Sequence, residues 1–361
     1  MDLSNYSEYI QKKMSEKGIN TETQDYVIQY ICMNQELFGN YLNIDKVLDR
    51  IINKLNCSIS SSLFDNIDIK RPIKDFIELT HISGCWFPHR NEIYINPIIK
   101  LKTMLSQKER KRTLSTIMHE MDHCATTEYI DQQEIEQYFQ AHSEYYKNNI
   151  EKKEMIEKIT NEYYKKNAKI PVSGIADYRQ NINMGVELDK LNEGITSYKQ
   201  EMYGRFFNRP SIGGYYVERK VAKFIGNVIG EQKLISMHFN KDYEGIRTSF
   251  NETTGGELND LVEELNDVVQ KLRKNSYLKN LPILKKIYFS KTMDKLDKFM
   301  EKYKKNDLSE ERIGQSTRND FRKSLTKDSY SLEEQALNSK RIQEKSEKTN
   351  INREEVNNID R

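Results

Sequence analysis

Apolar residues recur along most of this chain at the three-and-four spacing of helices, and alternate with polar ones over only one short stretch. Ile44, Val47, Leu48, Ile51, Ile52 and Leu55 follow Asn43, a residue type that caps helix starts, and predict a helix. Residues 1–75 read as a helical N-terminal support region without a cluster of catalytic groups. Between 76 and 100 the texture changes. Gly84, Cys85, Trp86, Phe87 and Pro88 mark a turn or a strand start, with Trp86 and Phe87 as core or cleft lining. Asn91 to Asn96 then alternates as a half-buried strand does, and Pro97 fits only an edge or an end.

A helix predicted from Ser106 to Thr127 packs through Leu114, Ile117, Met118, Met121 and Ala125. Residues 131–170 form a further helical region. Ile170-Pro171-Val172-Ser173-Gly174-Ile175 breaks that pattern, and the stretch to Glu187 reads as a hairpin or loop. A helix beginning near Leu191 buries Leu191, Ile195, Tyr198 and Met202. Val217–Val228 predicts another that stops near Gly230, and Leu258 to Leu272 a strongly amphipathic one. Residues 281–305 place many lysines around an apolar stripe, which reads as a solvated basic helix face. The expected organisation is α+β and mostly α: a 1–75 support region, a 76–205 catalytic core, a 206–302 helical lobe, and a charged, disordered 303–361 tail. In that core a small sheet packs its edge strand on the 106–127 helix.

Charge narrows the function classes. Charged residues make up 31% of the chain, yet the net charge is only +2, which gives no general reason to expect nucleic acid as a partner. From Asn306 onward 11 basic residues nearly balance 12 acidic ones, so the tail is a polar segment through which a protein partner could be engaged. No run is long and apolar enough for a membrane span, and the N-terminus lacks the features of a signal peptide, so a cytoplasmic location is expected. Cys32, Cys57, Cys85 and Cys124 are widely spaced and read as reduced thiols.

The candidate chemistry lies in His119-Glu120-Met121-Asp122-His123. Histidines four apart share one helical face and can bind the same metal ion, with Glu120 placed to take a proton from a zinc-activated water. Both histidines fall roughly 140–180° from the packing stripe at about 100° per residue, so they are expected to face a cleft with Thr116 and Glu120. A catalytic zinc needs a third protein ligand. Directly continuing the motif meets Thr126 and Tyr129 where a metzincin has glycine and histidine. Glu193, opposite the buried stripe of its own helix, is the better candidate. Glu128, Asp131, Glu134 and Glu187 stand in reserve.

His119, Glu120, His123 and then Asn192-Glu193-Gly194 resemble the gluzincin group of zinc peptidases, which includes the thermolysin-like and aminopeptidase-N-like families. The resemblance covers about 76–230 and implies a two-lobed zinc metallopeptidase. Its ligands would be His119, His123 and Glu193, with Glu120 as general base and an extended peptide or protein substrate along the 91–96 edge strand. The chain departs from the pattern in the 69 residues between His123 and Glu193. It also has Ser197 where thermolysin-like enzymes have a histidine-orienting aspartate, so Ser197, Thr196 or another carboxylate would have to serve. Tyr198, Tyr215, Tyr216 and His238 are the candidate oxyanion donors. His81, Cys85 and His89 are evenly spaced, but Gly84 and Pro88 interrupt any helix and a fourth ligand is missing. His142 is expected to pack among tyrosines, and Cys124 to be buried beneath its helix. The expectation is zinc-dependent peptide-bond hydrolysis; the alternative is a catalytically inactive peptidase-like binding or regulatory protein.

Overall fold

Asn20 and Asn43 open the first long helices by accepting hydrogen bonds from Thr23 N and Lys46 N, satisfying backbone donors that a helix start leaves free. The computed structural model of the chain describes residues 3–55, 83–99, 106–165, 169–204, 215–274 and 282–303. Within these, α1 (Leu3–Glu16), α2 (Thr21–Phe38) and α3 (Ile44–Lys54) pack on one another, and α2 and α3 also pack against α4 (Gln107–Thr126). The predicted stripe of α3 is buried as expected.

α4 is the central element. Every residue from Ile117 to Thr126 is buried, the polar ones included. The expected two-faced helix is therefore covered on all sides: α2, α3 and α9 (Asp189–Tyr203) pack on it, as do β1 (Gly84–Phe87) and β2 (Glu92–Ile95). Its C-terminal carbonyls are held by Lys54, whose ammonium donates to Cys124 O at 3.1 Å and also to Thr127 O.

The predicted strand at 91–96 is β2, and it pairs antiparallel with β1 in the register Gly84–Ile95 to Phe87–Glu92. A second two-stranded sheet departs from expectation. β3 (Thr127–Ile130) leaves α4 directly and pairs antiparallel with β4 (Ile170–Ser173), so Ile170–Ser173 closes a long excursion rather than starting a local hairpin. Between them lie α5 (Gln132–Ala141), α6 (Ser143–Lys147) and α7 (Ile150–Tyr164), and α8 (Tyr178–Met184) follows. Ile130, Ile135 and Val172 form a small satellite core there, with Phe139 and Tyr178 packed against it.

Helices α9, α10 (Tyr216–Ile229), α11 (Glu231–Phe239), α12 (Tyr243–Thr254) and α13 (Leu258–Lys274) build the remaining layer, with α14 (Pro282–Glu301) against α13. The architecture is α+β and mostly α. One hydrophobic core runs from Ile10 through α4 and α9 to Tyr303. The predicted tail and the segment 56–82 lie outside the described residues. Among the described residues no helix is long and apolar enough to cross a membrane.

Candidate metal centre

α4 and α9 bring His119, His123 and Glu193 together. The two Nε2 atoms lie 3.2 Å apart, and each is 3.4 Å from an oxygen of Glu193: His119 from Oε2, His123 from Oε1. Tetrahedral zinc with nitrogen and oxygen ligands at about 2.0–2.1 Å has ligand–ligand edges of about 3.3–3.4 Å. The Nε2–Nε2 separation is close to that figure, each histidine faces a different oxygen of Glu193, and one donor atom from each residue lies within 4.8 Å of the others; the donor set is of the type zinc takes. The histidines are 7% and 8% exposed, whereas the Glu193 side chain keeps 26%, so the cluster is walled by protein but open at the carboxylate.

The charges respond to this crowding. Burial pushes the Glu193 carboxyl up, but His123 and His119 outweigh it and hold the group well below the usual carboxylate range. Burial favours a neutral His123, but Glu193, with Glu120 and Asp122, overrides it and raises the ring to about 9. Glu120 is buried, and burial raises its pKa against the opposing pull of both histidines. Its Oε2 accepts the Trp86 N–H at 2.9 Å. Ser83 O accepts from Asn96 N, so in this antiparallel pair Ser83, Cys85 and Phe87 turn their backbone groups toward β2. Gly84 and Trp86 turn theirs to the opposite edge, where the Trp86 N–H meets Glu120. The strand that reaches Glu120 is thus β1, and not the predicted 91–96 strand.

Each residue of Asn192-Glu193-Gly194 has a separate physical task. Asn192 Oδ1 accepts from Ile175 N at 3.1 Å and lies 2.9 Å from His238 Nε2, tying the turn after β4 and helix α11 to α9. Gly174 in that turn has φ +54°, and a Cβ there would meet Asn192 Oδ1 at 2.1 Å. Gly194 lets α10 approach closely: its Cβ would lie 2.4 Å from Glu218 O.

The oxyanion candidates separate cleanly. Tyr215, at φ 60° just before α10, stacks on His119 with ring centroids 5.9 Å apart and planes 5° from parallel. Burial, then Glu193 and Glu120, raise its phenol pKa, so the proton stays on at neutral pH beside both carboxylates. The other three are turned elsewhere. Tyr198 is buried in the α9 stripe and donates to Glu231. Tyr216 packs toward Phe289. His238 is engaged with Asn192, and burial, helped by Lys199 and His123, lowers its pKa to about 3 and keeps it neutral.

Among the reserve ligands, Glu128 is paired with Arg50 at 2.5 Å and Lys241 at 2.7 Å, and Asp131 and Glu134 form the capping box of α5. Glu187 is exposed. Neither Ser197 nor Thr196 orients a ligand histidine: their hydroxyls and His119 Nδ1 are buried without a hydrogen-bond partner. Trp86 is buried, with its indole N–H on Thr127 Oγ1 at 3.1 Å. Cys124 is buried as expected, and His142, though exposed at the end of α5, packs its ring 4.4 Å from that of Tyr138. His81 lies outside the described residues.

Sequence reasoning missed Asp122. It is fully buried and lies 2.7 Å from the equally buried ammonium of Lys199, while Tyr30 and Tyr203 also donate to its Oδ1. The available signal was an acid beside the stripe residue Met121 and a lysine beside Tyr198. Compared with known proteins, the chain matches no family model, no curated protein and no solved structure. The reading of the site therefore rests on its own residues.

Proposed function

We propose that this chain is a zinc-dependent hydrolase of peptide bonds. The observation that carries the reading is the convergence of His119, His123 and Glu193, whose donor atoms lie within 4.8 Å of one another, with a buried carboxylate, Glu120, on the same helical turn as the histidines. Zinc held there would polarise a peptide carbonyl and make water acidic near neutral pH. Glu120 takes the proton of the attacking water and returns it to the leaving amine, completing addition of water across the C–N bond. The Trp86 N–H fixes one oxygen of Glu120, which steadies the carboxyl through both transfers. Its raised pKa suits a group that must hold a proton between steps. The phenol of Tyr215 is the donor best placed to stabilise the oxyanion. An extended chain would add along the β1 edge away from β2 at Gly84, since the Trp86 N–H is already held by Glu120.

Purified protein should carry one zinc per chain, and Glu120→Gln should keep it while losing peptide hydrolysis by about 10²-fold or more. A wild-type protein that takes up no zinc, or a Glu120→Gln variant as active as wild type, sinks the proposal. Zinc binding without cleavage of any peptide would favour the non-catalytic reading.

A further inference from the structure

Ligand side chains on two separate helices hold a tetrahedral site only if those helices keep their rotation and register to within about 0.5 Å. Apolar contacts between α4 and α9 are non-directional and do not fix either. The polar bonds between them are directional. Lys199 of α9 donates to Asp122 of α4 at 2.7 Å, with both side chains 1% exposed. Gln200, the next residue, donates to Ser115 O and Ser115 Oγ at 2.8 Å each, also in buried surroundings. On α4 these contacts bracket His119: Ser115 lies about one turn before it and Asp122 about one turn after. On α9 Lys199 follows Glu193 by six residues, about 120° round the helix, and Gln200 follows it by seven, about two turns along the same face.

The Asp122 site is built as a rigid seat. The single hydroxyl proton of Tyr203 is shared between Asp122 Oδ1 at 3.2 Å and Asn34 Oδ1 at 3.1 Å, and Tyr30 donates to the same Asp122 oxygen as well. Lys199 also lies 5.7–5.8 Å from the ring centroids of Tyr30, Phe38 and Tyr203. Removing a charge pair from water costs so much that well-packed apolar residues of similar volume are often as stable or more so. A fully buried pair is therefore poorly explained by stability alone. Its location, spanning the two helices that carry the cluster, supplies another role.

We infer that Asp122 and Lys199 are positioning residues, a buried ionic staple that sets α4 against α9 and so tunes how tightly His119, His123 and Glu193 hold their metal. The inference rests on the zinc reading above. Neither residue touches the metal or substrate. Each acts through the backbone of a helix that carries ligands.

The test is the double variant Asp122→Asn/Lys199→Met, which removes both charges and the bond between helices while leaving an acceptor for the two tyrosines. Two quantities are read: the urea midpoint of metal-free protein, and zinc affinity by chelator competition, with the visible spectrum of the cobalt-loaded protein reporting coordination geometry. The expected result is a midpoint at or above wild type, zinc affinity weaker by about 10–100-fold, and an altered cobalt spectrum. Should this variant fail to fold, Tyr30→Phe/Asp122→Leu/Lys199→Met is read in the same way. Unchanged zinc affinity in a folded variant overturns the inference, as does failure of both variants to fold, which would assign the pair to stability. If wild type itself binds no zinc, the metal reading falls first and takes the staple's role with it; tight wild-type binding with unchanged variants overturns the staple alone.

Discussion

Substitution of Gly194 by alanine tests the site through a sign. In an isolated helix the change is favourable, because glycine in a helix interior is about 1 kcal/mol worse than alanine. Here the new methyl would lie 2.4 Å from Glu218 O and 2.7 Å from its carbonyl carbon, both backbone atoms of α10. Ordinary contact begins near 3.4 Å, so α9 and α10 would have to part by up to about 1 Å; overpacking of this kind typically costs about 1–3 kcal/mol. The propensity gain offsets part of that, leaving a net loss of up to about 2 kcal/mol. Urea denaturation of the metal-free protein measures it as a lower midpoint at unchanged slope. Zinc affinity should also fall, since Glu193 is the neighbouring residue and α10 begins at Tyr216, next to the Tyr215 ring over His119. A midpoint above wild type would show that no close approach exists at Gly194, and the role given to that glycine would be wrong.

Two further outcomes are expected. Tyr215→Phe removes one hydroxyl but keeps the ring on His119, so it should retain zinc while lowering kcat by about 10²–10³-fold, and equal activity would remove Tyr215 from the oxyanion role. In metal-free protein His123 holds its proton up to about 9, and a ligand ring must be neutral. The proton has to leave for zinc to bind, so apparent zinc affinity should rise by about tenfold per pH unit from pH 7 and level off above His123's raised pKa. Chelator competition across that range checks it, and a flat profile refutes the coupling.

What was legible in the sequence was local and periodic. His119, Glu120 and His123 sit on one helical turn, so their juxtaposition depends on little beyond α4 being a helix. Glu193 could be chosen because Leu191, Ile195, Tyr198 and Met202 marked which side of α9 is packed, and all four are buried. Periodicity says which face is apolar, but not whether the other face is covered. That is why α4 was expected to look into an open cleft, whereas His119, Glu120, Asp122, His123 and Thr126 are all buried. Their polar atoms are compatible with burial largely through partners on distant segments: Trp86 for Glu120, Lys199 and Tyr203 for Asp122, Glu193 for both histidines. Strands β3 and β4 escaped for a related reason. Four residues carry too little pattern to distinguish strand from helix end, and their pairing is defined only by each other. The charged staple was illegible because Asp and Lys beside apolar stripes usually lie at the surface.

That second sheet also changes what the long separation between the two motifs means. Ile130 and Ile170 are direct partners at one end of the β3–β4 ladder, and Thr127 and Ser173 at the other. The excursion through α5, α6 and α7 therefore leaves and returns at one place, and the path from His123 to Glu193 is set by the ladder, the turn at Gly174 and helix α8. Gly174 N donates to Thr126 O, and Ile175 N donates to Asn192 Oδ1, so the chain leaving the C-terminal end of the closing strand is attached to both α4 and α9. Replacing residues 131–169 by a two-residue Asn-Gly turn should preserve the ladder, since such turns join adjacent antiparallel strands directly. The satellite core around Ile135 and Phe139 would be lost, and Tyr178 and Val172 exposed, so stability should fall. Zinc affinity should not, because no ligand and none of the groups bonded to Glu120, Asn192 or Asp122 lies in the excised segment. Zinc titration of the folded deletion variant decides it: loss of the metal would mean that the excursion shapes the ligand cluster itself, and that ladder closure is not what brings α4 and α9 into register.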